Sequence, residues 1–585
     1  MKQRKKLGFW VISMMVALSL AIPSVASSGE DYKKSGRWIS GDFHQHTYYT
    51  DGSTTIDFVM MKNNQFGLDW WANSEHGGSR NRDGEGVSWL NTSKYPVNPI
   101  LGDNAASGNM WRWQSLRDFA FPDILDARGR YPDKLIFSGL EWNVPGHEHC
   151  STGIVAKDAS AISAFEFQFD KSDTDKSRIG EVTPFGTLIK QNGRDPLTQA
   201  TKPLGLDRHS DAVAACEWMQ KQMNAGLIDN GWIVFAHIER AGAFKTGSSD
   251  GGYNIEHFRD FNNAGPDACF GFEGAPGHQV NYEGRGGFGS GAFSGTYGGV
   301  GFYTAKVGGL WDALLGEGRR WFNYASSDYH KHWTKCDDPT NFGTCGDDFY
   351  PGEYQKTWVH VEGADKDPRF HWESRQSRHS LNRVVDGLRS GNSFFVMGDL
   401  VDRLEFFAQK GWEKAPMGSE LDLNSSKGAS KNSGKKDLTL TIRFRSPLVN
   451  NNDYAPVVNH IDLIAGEITG PISPSSPDYT KATNESTKVI ASFKAGDWKQ
   501  DVDGYNTIVY EIQDLKKSMY FRLRGTNLAC DTPKETGPEV ALPSAEYCNP
   551  LADSLIDTSK GPAVQAAAAW KDLWFYSNPI LVYAK

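Results

Sequence analysis

Past its first two dozen residues the chain has no apolar run that could span a bilayer, which takes about 20 residues as a helix. Cysteine is scarce. The seven present (Cys150, Cys216, Cys269, Cys336, Cys345, Cys530 and Cys548) include no CxxC pair, which excludes cysteine zinc ribbons and dithiol redox motifs. Cys336–Cys345 and Cys530–Cys548 are near enough in sequence for each pair to staple a loop. The odd count leaves at least one thiol over, and connectivity stays open. Excess positive charge is missing too: 62 Lys and Arg face 71 Asp and Glu, a net charge of −9. A chain of that sign offers no general nucleic-acid surface and no attraction to anionic lipid. The glycine-rich stretch 284–301 lacks phosphate-loop spacing and the Lys-Ser/Thr that would follow it, so it reads as an irregular surface loop. No repeat of solenoid length is present, and composition shows no disordered or collagen-like bias.

What is present starts with a basic N-terminus (Lys2, Arg4, Lys5, Lys6) and an apolar run from Leu7 to Ile22. Pro23, Ser24 and Ala26 follow. This is the pattern of a secretory signal peptide over residues 1–26, and no cysteine stands at the cleavage point to make a lipoprotein. Removing it takes away four positive charges and no negative ones, moving the net charge from −9 to −13. The expectation is a secreted or periplasmic protein, free of the membrane, of open oligomeric state. Any anionic substrate must then be attracted locally.

A length of 585 residues exceeds one ordinary core. Residues 27–400 alternate strand and helix patterns. Strands are expected at Arg37–Phe43, Leu68–Ala72, Leu135–Leu140, Trp232–Ala236, Ala268–Phe272 and Trp321–Ala325. Helices are expected at Thr55–Gln65, Trp111–Ala127, Asp211–Asn224, Leu310–Glu317 and Leu381–Ser390. Repeated βα units imply an α/β fold, a mostly parallel sheet or barrel. From 401 to 585 the texture changes to short alternating runs (Asp437–Ser446, His460–Ala465, Lys488–Phe493, Tyr505–Ile512, Met519–Arg524, Ile580–Tyr583), which read as an all-β sandwich domain. Asn424–Lys436 reads as an exposed loop within it.

Fourteen of the fifteen histidines lie between His44 and His379, so the chemistry belongs to the first part. His44-Gln45-His46 ends the first strand, and residues two apart in extended chain face the same way. Asp51-Gly52 follows. Glu75-His76-Gly77 ends the second strand. Glu141 closes the third, with His147 and His149 behind it. His237, in Ala236-His237-Ile238-Glu239-Arg240, ends the fourth. Asp328-Tyr329-His330 ends the last. In parallel α/β barrels the carboxyl ends of the strands converge on one face, where sites form, and imidazole with carboxylate suits zinc, iron or manganese. Any one of these histidines alone is an ordinary surface or structural residue; five coincidences at equivalent places are not.

The ordered set HxH, DG, EHG, GxE, H, AHxxR and SDxH resembles the polymerase-and-histidinol-phosphatase (PHP) superfamily of metallohydrolases over about residues 37–400. The resemblance implies a distorted (β/α)7 barrel followed here by the smaller β-sandwich, and two or three divalent metal ions (Zn, Mn or Fe). His44, His46, Asp328 and a bridging Glu141 would hold the first ion. Glu141, His149 and His237 would hold the second, and Asp51, His76 and His330 the third. Glu75 stands where the family more often has Asp. His147 and His149 compete for one role.

The implied chemistry is hydrolysis of small or polymeric phosphoesters by a metal-activated water, with Arg240 and Asp51 as catalytic candidates. Arg240 would neutralise phosphoryl charge; a surface ion pair is its equal alternative, and Arg80 is a second choice. Glu273 is either an orienting carboxylate behind the ligands or a solvated core edge. His209 reads as a helix-cap residue, and His332 is left out. His278 and Tyr48 are candidate substrate contacts. Tryptophans 70, 71, 89, 111, 113 and 142 either wall a pocket or fill the core. Two other readings remain: a glycoside or amide hydrolase using the same metals, and a non-enzymatic surface-binding protein.

Overall fold

The computed structural model describes residues 36–203, 206–241, 251–280, 296–338, 340–363, 378–424, 436–529 and 561–584. The expected signal peptide, the Cys530–Cys548 pair and most of the two expected loops (284–301 and 424–436) lie outside these residues. Among them no helix is long and apolar enough to cross a membrane. Ser35–Lys585 forms one compact unit.

In chain order the first part comprises β1 (Gly36–Asp42), α1 (Ile56–Gln65), β2 (Trp70–Ala72), α2 (Phe121–Arg130), β3 (Leu135–Phe137), β4 (Gly139–Asn143), β5 (His149–Val155), α3 (Ser160–Phe169), α4 (Leu206–Asn224), β6 (Asn230–Phe235), α5 (Ile255–Ala264), β7 (Gly271–Ala275), α6 (Leu310–Gly316), β8 (Phe322–Ala325), β9 (Gln355–Glu362), α7 (Arg378–Ser390) and β10 (Ser393–Met397). Local chemistry sets the boundaries. The Thr55 hydroxyl accepts the Phe58 N–H at 3.2 Å and starts α1. Gly67, at φ 72°, turns the chain into β2. Strands β2, β3, β6, β7 and β8 are buried along their whole length, as expected of parallel strands covered on both faces.

These strands divide between two sheets. One runs β9-β1-β2-β3, and the other β8-β7-β6-β5-β4. Neighbours are parallel within β1-β2-β3 and within β6-β7-β8. Strand β9 is antiparallel to β1, and β5 is antiparallel to both β4 and β6. Of the expected distorted (β/α)7 barrel the structure shows the coarser feature, a mixed α/β arrangement of several sheets: among the described residues the ladders do not run continuously around a ring. The break lies at Ser138, which splits the expected Leu135–Leu140 strand into β3 and β4 on different sheets. At the carboxyl ends, two single bridges span the gaps. Gln45 pairs with Tyr329, joining the ends of β1 and β8, and His76 pairs with Glu141, joining the ends of β2 and β4. Below them, Phe43 packs edge-on to Trp70, Trp232 and Tyr324 at 5.0, 5.7 and 5.2 Å and floors the bridged face.

The C-terminal strands are β11 (Arg403–Lys410), β12 (Glu413–Pro416), β13 (Glu420–Asp422), β14 (Leu438–Arg445), β15 (His460–Glu467), β16 (Lys488–Lys494), β17 (Asn506–Ile512), β18 (Met519–Thr526), β19 (Trp574–Ser577) and β20 (Ile580–Tyr583), with helix α8 (Pro562–Ala569). Strands β12-β11-β14-β17 form their own sheet. The others extend the first sheet, in the order β13-β20-β18-β19-β10-β9, with β15 and β16 continuing from β18.

Candidate metal centre

The chain ends leaving β1, β2, β4, β6 and β8 turn their polar side chains into one space. His44 and His46 share a direction because they are two apart. Gln45, between them, points the other way and exchanges two amide hydrogen bonds with Asn63 of α1, each 2.7 Å. Asp42, at the end of β1, accepts the His44 N–H at 2.8 Å and the Ser327 N–H at 3.0 Å, clasping the loop that bears Asp328.

Glu141 is the hub. Its Oε1 lies 3.3 Å from His44 Nε2, 2.7 Å from His149 Nδ1 and 3.2 Å from His237 Nε2. Its Oε2 lies 3.3 Å from His46 Nε2 and 2.9 Å from His76 Nδ1. Asp328 Oδ1 is 3.1 and 3.2 Å from His44 and His46 Nε2, and its Oδ2 is 3.1 Å from His237 Nε2 and 2.8 Å from His278 Nε2. Asp51 closes the mouth. One oxygen is 3.4 Å from both His46 Nδ1 and His330 Nε2, and the other is 3.1 Å from His76 Nε2. His44, His46, Glu141, His237 and Asp328 are buried, while Asp51 is 35% exposed.

Three sets of donor atoms each fall within 4.8 Å of one another: His44, His46, Glu141 and Asp328; His46, Asp51, His76 and His330; and His76, Glu141 and His149. Eight of the nine expected ligands fall in these sets, and the ninth, His237, has its Nε2 3.2 Å from Glu141 and 3.1 Å from Asp328. The first set matches the expectation, and the other two share their histidines differently. His46 joins the Asp51 set, His76 joins the His149 set, and His237 lies between Glu141 and Asp328. His44 Nε2, both nitrogens of His46, His237 Nδ1, Glu141 Oε2 and both oxygens of Asp328 are buried and, although most lie within ion-pair distance of one another, make no well-directed hydrogen bond. Buried polar atoms without partners are rare. Divalent cations in the cage would take up those that face it, His44 and His46 Nε2 with the Glu141 and Asp328 oxygens, and the mixed imidazole–carboxylate set fits zinc, manganese or iron.

The electrostatics are those of tightly coupled opposite groups. Burial alone would raise the pKa of Glu141 and Asp328, but the surrounding imidazoles hold both well below the usual carboxylate range. Burial would depress His44 and His46, yet Asp328, Glu141 and their fellow carboxylates hold both well above the usual histidine value. His76 is lifted to about 9 against burial by Glu141 and Asp51. His149 goes the other way, pushed by burial to about 3.

A layer of groups behind the ligands fixes their aim. Glu273 of β7 faces His44 Nδ1 at 3.1 Å and also accepts the Ser326 hydroxyl, the placement that an orienting carboxylate takes. Glu75, where an aspartate was the family pattern, accepts the Thr50 hydroxyl at 2.6 Å and the Thr47 hydroxyl, and so shapes the turn to Asp51. Arg82 donates to the carbonyls of Tyr48, Thr50 and Gly52 and supports the same turn from outside. Asp348 accepts the His330 N–H at 2.6 Å and meets His278 Nδ1 at 2.7 Å. Sequence reasoning missed Arg82 and Asp348, and took His278 only for a substrate contact.

Other candidates separate cleanly. Arg240 lies 3.8 Å from Asp328 and 3.9 Å from Glu148 and is part-exposed at the rim. Arg80, 3.8 Å from Asp51, is 47% exposed. Tyr48 lies beneath the Arg82 guanidinium at 5.1 Å. His332 turns away, stacking on Tyr350 and facing Glu353 at 3.0 Å. His147 and His209 leave the centre for a cluster of their own, and His209 lies within α4 rather than serving as its cap. Trp70, Trp71, Trp89, Trp111, Trp113 and Trp142 are all buried core, which removes the pocket-wall reading. Cys336 and Cys345 form a disulfide, one of the two loop staples that the spacing allowed; Cys150, Cys216 and Cys269 are buried free thiols.

No protein-family model matches the chain, and no curated protein matches it. Among solved structures, it is similar to the crystal structure of a two-domain protein containing a predicted PHP-like metal-dependent phosphoesterase from Bacteroides vulgatus ATCC 8482. The identity is 10% over 83% of this chain and 90% of that one, with a TM-score of 0.29. A likeness at that score carries no argument, so the functional reading rests on the site itself.

Proposed function

We propose that this protein is an exported metal-dependent phosphoesterase of PHP type, built on an opened (β/α)7 barrel and acting on small or polymeric phosphomonoesters or phosphodiesters. The observation that carries the reading is Glu141, whose two oxygens are shared among five imidazoles on four different chain segments. A buried carboxylate so placed is suited to bridge cations. Two or three bound divalent ions (zinc, manganese or iron) supply Lewis acidity, lowering the pKa of a water and offsetting phosphoryl charge. The chain supplies the remainder. Glu273, through His44, and Asp348, through His278, keep imidazoles aimed. Asp51 is held far below the usual carboxylate range by His330, His46 and His76, against the effect of burial. At the mouth of the cage it is placed to accept a hydrogen bond from a water. Arg240, part-exposed at the rim, is placed to donate charge-assisted hydrogen bonds to a phosphoryl oxygen.

The test joins elemental analysis of purified protein to a panel of phosphomonoester, phosphodiester, glycoside and amide substrates. Wild type should carry at least two equivalents of transition metal and release phosphate or alcohol from the phosphoesters. His44→Ala/His46→Ala should lose metal, and its activity should fall by more than the roughly 10–100-fold typical of removing an outer-shell partner. Turnover confined to glycosides or amides would reassign the bond. Wild type that stays metal-free after supplementation would defeat the enzyme reading.

A further inference from the structure

Three imidazoles outside the principal cage meet where the β4–β5 turn touches two helices. His147 sits in that turn, His209 in the first turn of α4 and His257 in the first turn of α5. Their ring centroids are 5.1, 4.5 and 4.7 Å apart, and one nitrogen from each lies within 4.8 Å of the others. His147 Nε2 is 2.9 Å from His209 Nδ1, a spacing like that between donor atoms of the Glu141 cage.

We propose that His147, His209 and His257 form a second, all-imidazole site for one zinc-class divalent ion, distinct from the carboxylate-rich cage.

The outer nitrogens argue for a built site. His147 Nδ1 faces the Gly252 carbonyl at 3.4 Å, and His209 Nε2 faces Asp260 Oδ2 at 3.1 Å. Asp260 is itself held by the Tyr479 hydroxyl at 2.6 Å. A carbonyl or carboxylate on the far nitrogen fixes an imidazole in the tautomer whose near lone pair points inward, as in histidine metal sites generally. Tyr253 stacks on His147 at 4.9 Å and Phe261 packs edge-on to His147 and His209, so the inner space is walled by apolar rings.

His257 decides how the site loads. Its Nδ1 accepts the Asn254 N–H at 2.9 Å as half of the α5 capping box. Taking an ion on its other nitrogen shifts the ring proton to Nδ1 and gives up that hydrogen bond. A capping bond is weaker than metal–imidazole bonding, so the exchange favours loading. Three neutral imidazoles without a carboxylate select zinc, cobalt, nickel or copper over magnesium, calcium or manganese. The ion would tie α4 and α5 to the turn two residues from His149, and so would brace the Glu141-bearing hairpin.

The test uses full-length protein stripped with chelator. Equilibrium dialysis against zinc should give wild type one equivalent more than His209→Asn or His257→Gln. Dialysis against manganese should give all three the same content. Cobalt added to His44→Ala/His46→Ala should produce the visible absorption of a tetrahedral nitrogen-ligated ion, and a further His209→Asn change should abolish it. Circular dichroism establishes that each variant is folded, and either histidine variant suffices. Zinc content unchanged in a folded His209→Asn or His257→Gln protein would overturn the site, as would cobalt spectra indifferent to His209. Failure of the phosphoesterase reading, by contrast, would appear as wild type without ester hydrolysis and would leave this count intact.

Discussion

At the scale of single residues, the aim of the site depends on carboxylates that do not face the open cage. Glu273 is the clearest. It is buried, and its Oε2 meets His44 Nδ1 at 3.1 Å. A carboxylate there holds the proton on Nδ1 and turns Nε2 toward Glu141 and Asp328. Glu273→Gln keeps the volume but presents an amide whose orientation is contested by the Ser326 hydroxyl. The expected result is a roughly 10–100-fold fall in metal affinity or in kcat/KM, with the thermal midpoint of the metal-free protein little changed. Isothermal titration of chelator-stripped protein reads the first and initial rates the second. Undiminished affinity in the variant would return Glu273 to the role of a core-edge acid.

At the scale of elements, side chains of the candidate centre are held by loops under constraint. His237, His278 and Asp328 have φ values of 50°, 56° and 46°, a left-handed conformation unusual for residues with side chains. Such strain persists where surrounding structure over-determines it, and it gathers at functional sites. Gly277 is part of that surround. A Cβ there would lie 2.2 Å from both Asp328 Cβ and the Ser327 carbonyl oxygen. Gly277→Ala should therefore push the Asp328 loop outward, and a displacement near 1 Å costs on the order of 10²-fold in rate. The control is Gly129→Ala in α2, where nothing lies within 4 Å of the added carbon. That change should leave turnover alone and stabilise by about 0.4–1 kcal/mol. Equal turnover in the two variants would remove the constraint argument.

The same elements show why part of this was legible in sequence and part was not. His44, His46, Glu141, His237 and Asp328 could be read because each follows an apolar strand, and strand ends gather whatever their order in the chain. Helix α1 was legible from Thr55 and Gly67. The Leu135–Leu140 run was misread as one strand because periodicity does not register that Ser138 passes the chain from one sheet to another. Strand β5 was missed because His149-Cys150-Ser151-Thr152-Gly153 has no apolar run, being buried as the partner of β4 and β6. Asp348 and Arg82 act through loops closed by long-range contacts, and spacing along the chain holds no trace of those contacts.

At the scale of the molecule, the site-bearing strands and the C-terminal strands share a sheet and a core. One buried apolar cluster runs from Leu116 to Ala584. Strand β10 pairs with β19, and Asn578 accepts the Asn323 N–H of β8 at 2.8 Å. A bidentate polar link is made by Arg522 of β18, which meets both oxygens of Asp312 in α6 at 2.8 and 2.7 Å, with both side chains fully buried. Helix α6 lies between β7 and β8, which carry Glu273 and lead into Asp328. Arg522→Met would leave the Asp312 carboxylate buried and unpaired, and breaking a buried pair in this way costs about 3–5 kcal/mol. If the C-terminal strands unfolded on their own, calorimetry would show two transitions, with the penalty falling on one of them. The shared sheet and core predict instead a single transition, with calorimetric and van't Hoff enthalpies in agreement, that moves to lower temperature as a whole in Arg522→Met. The metal centre would then be lost at the same temperature as the C-terminal strands, because the sheet carrying His44 is completed by residues more than five hundred positions away.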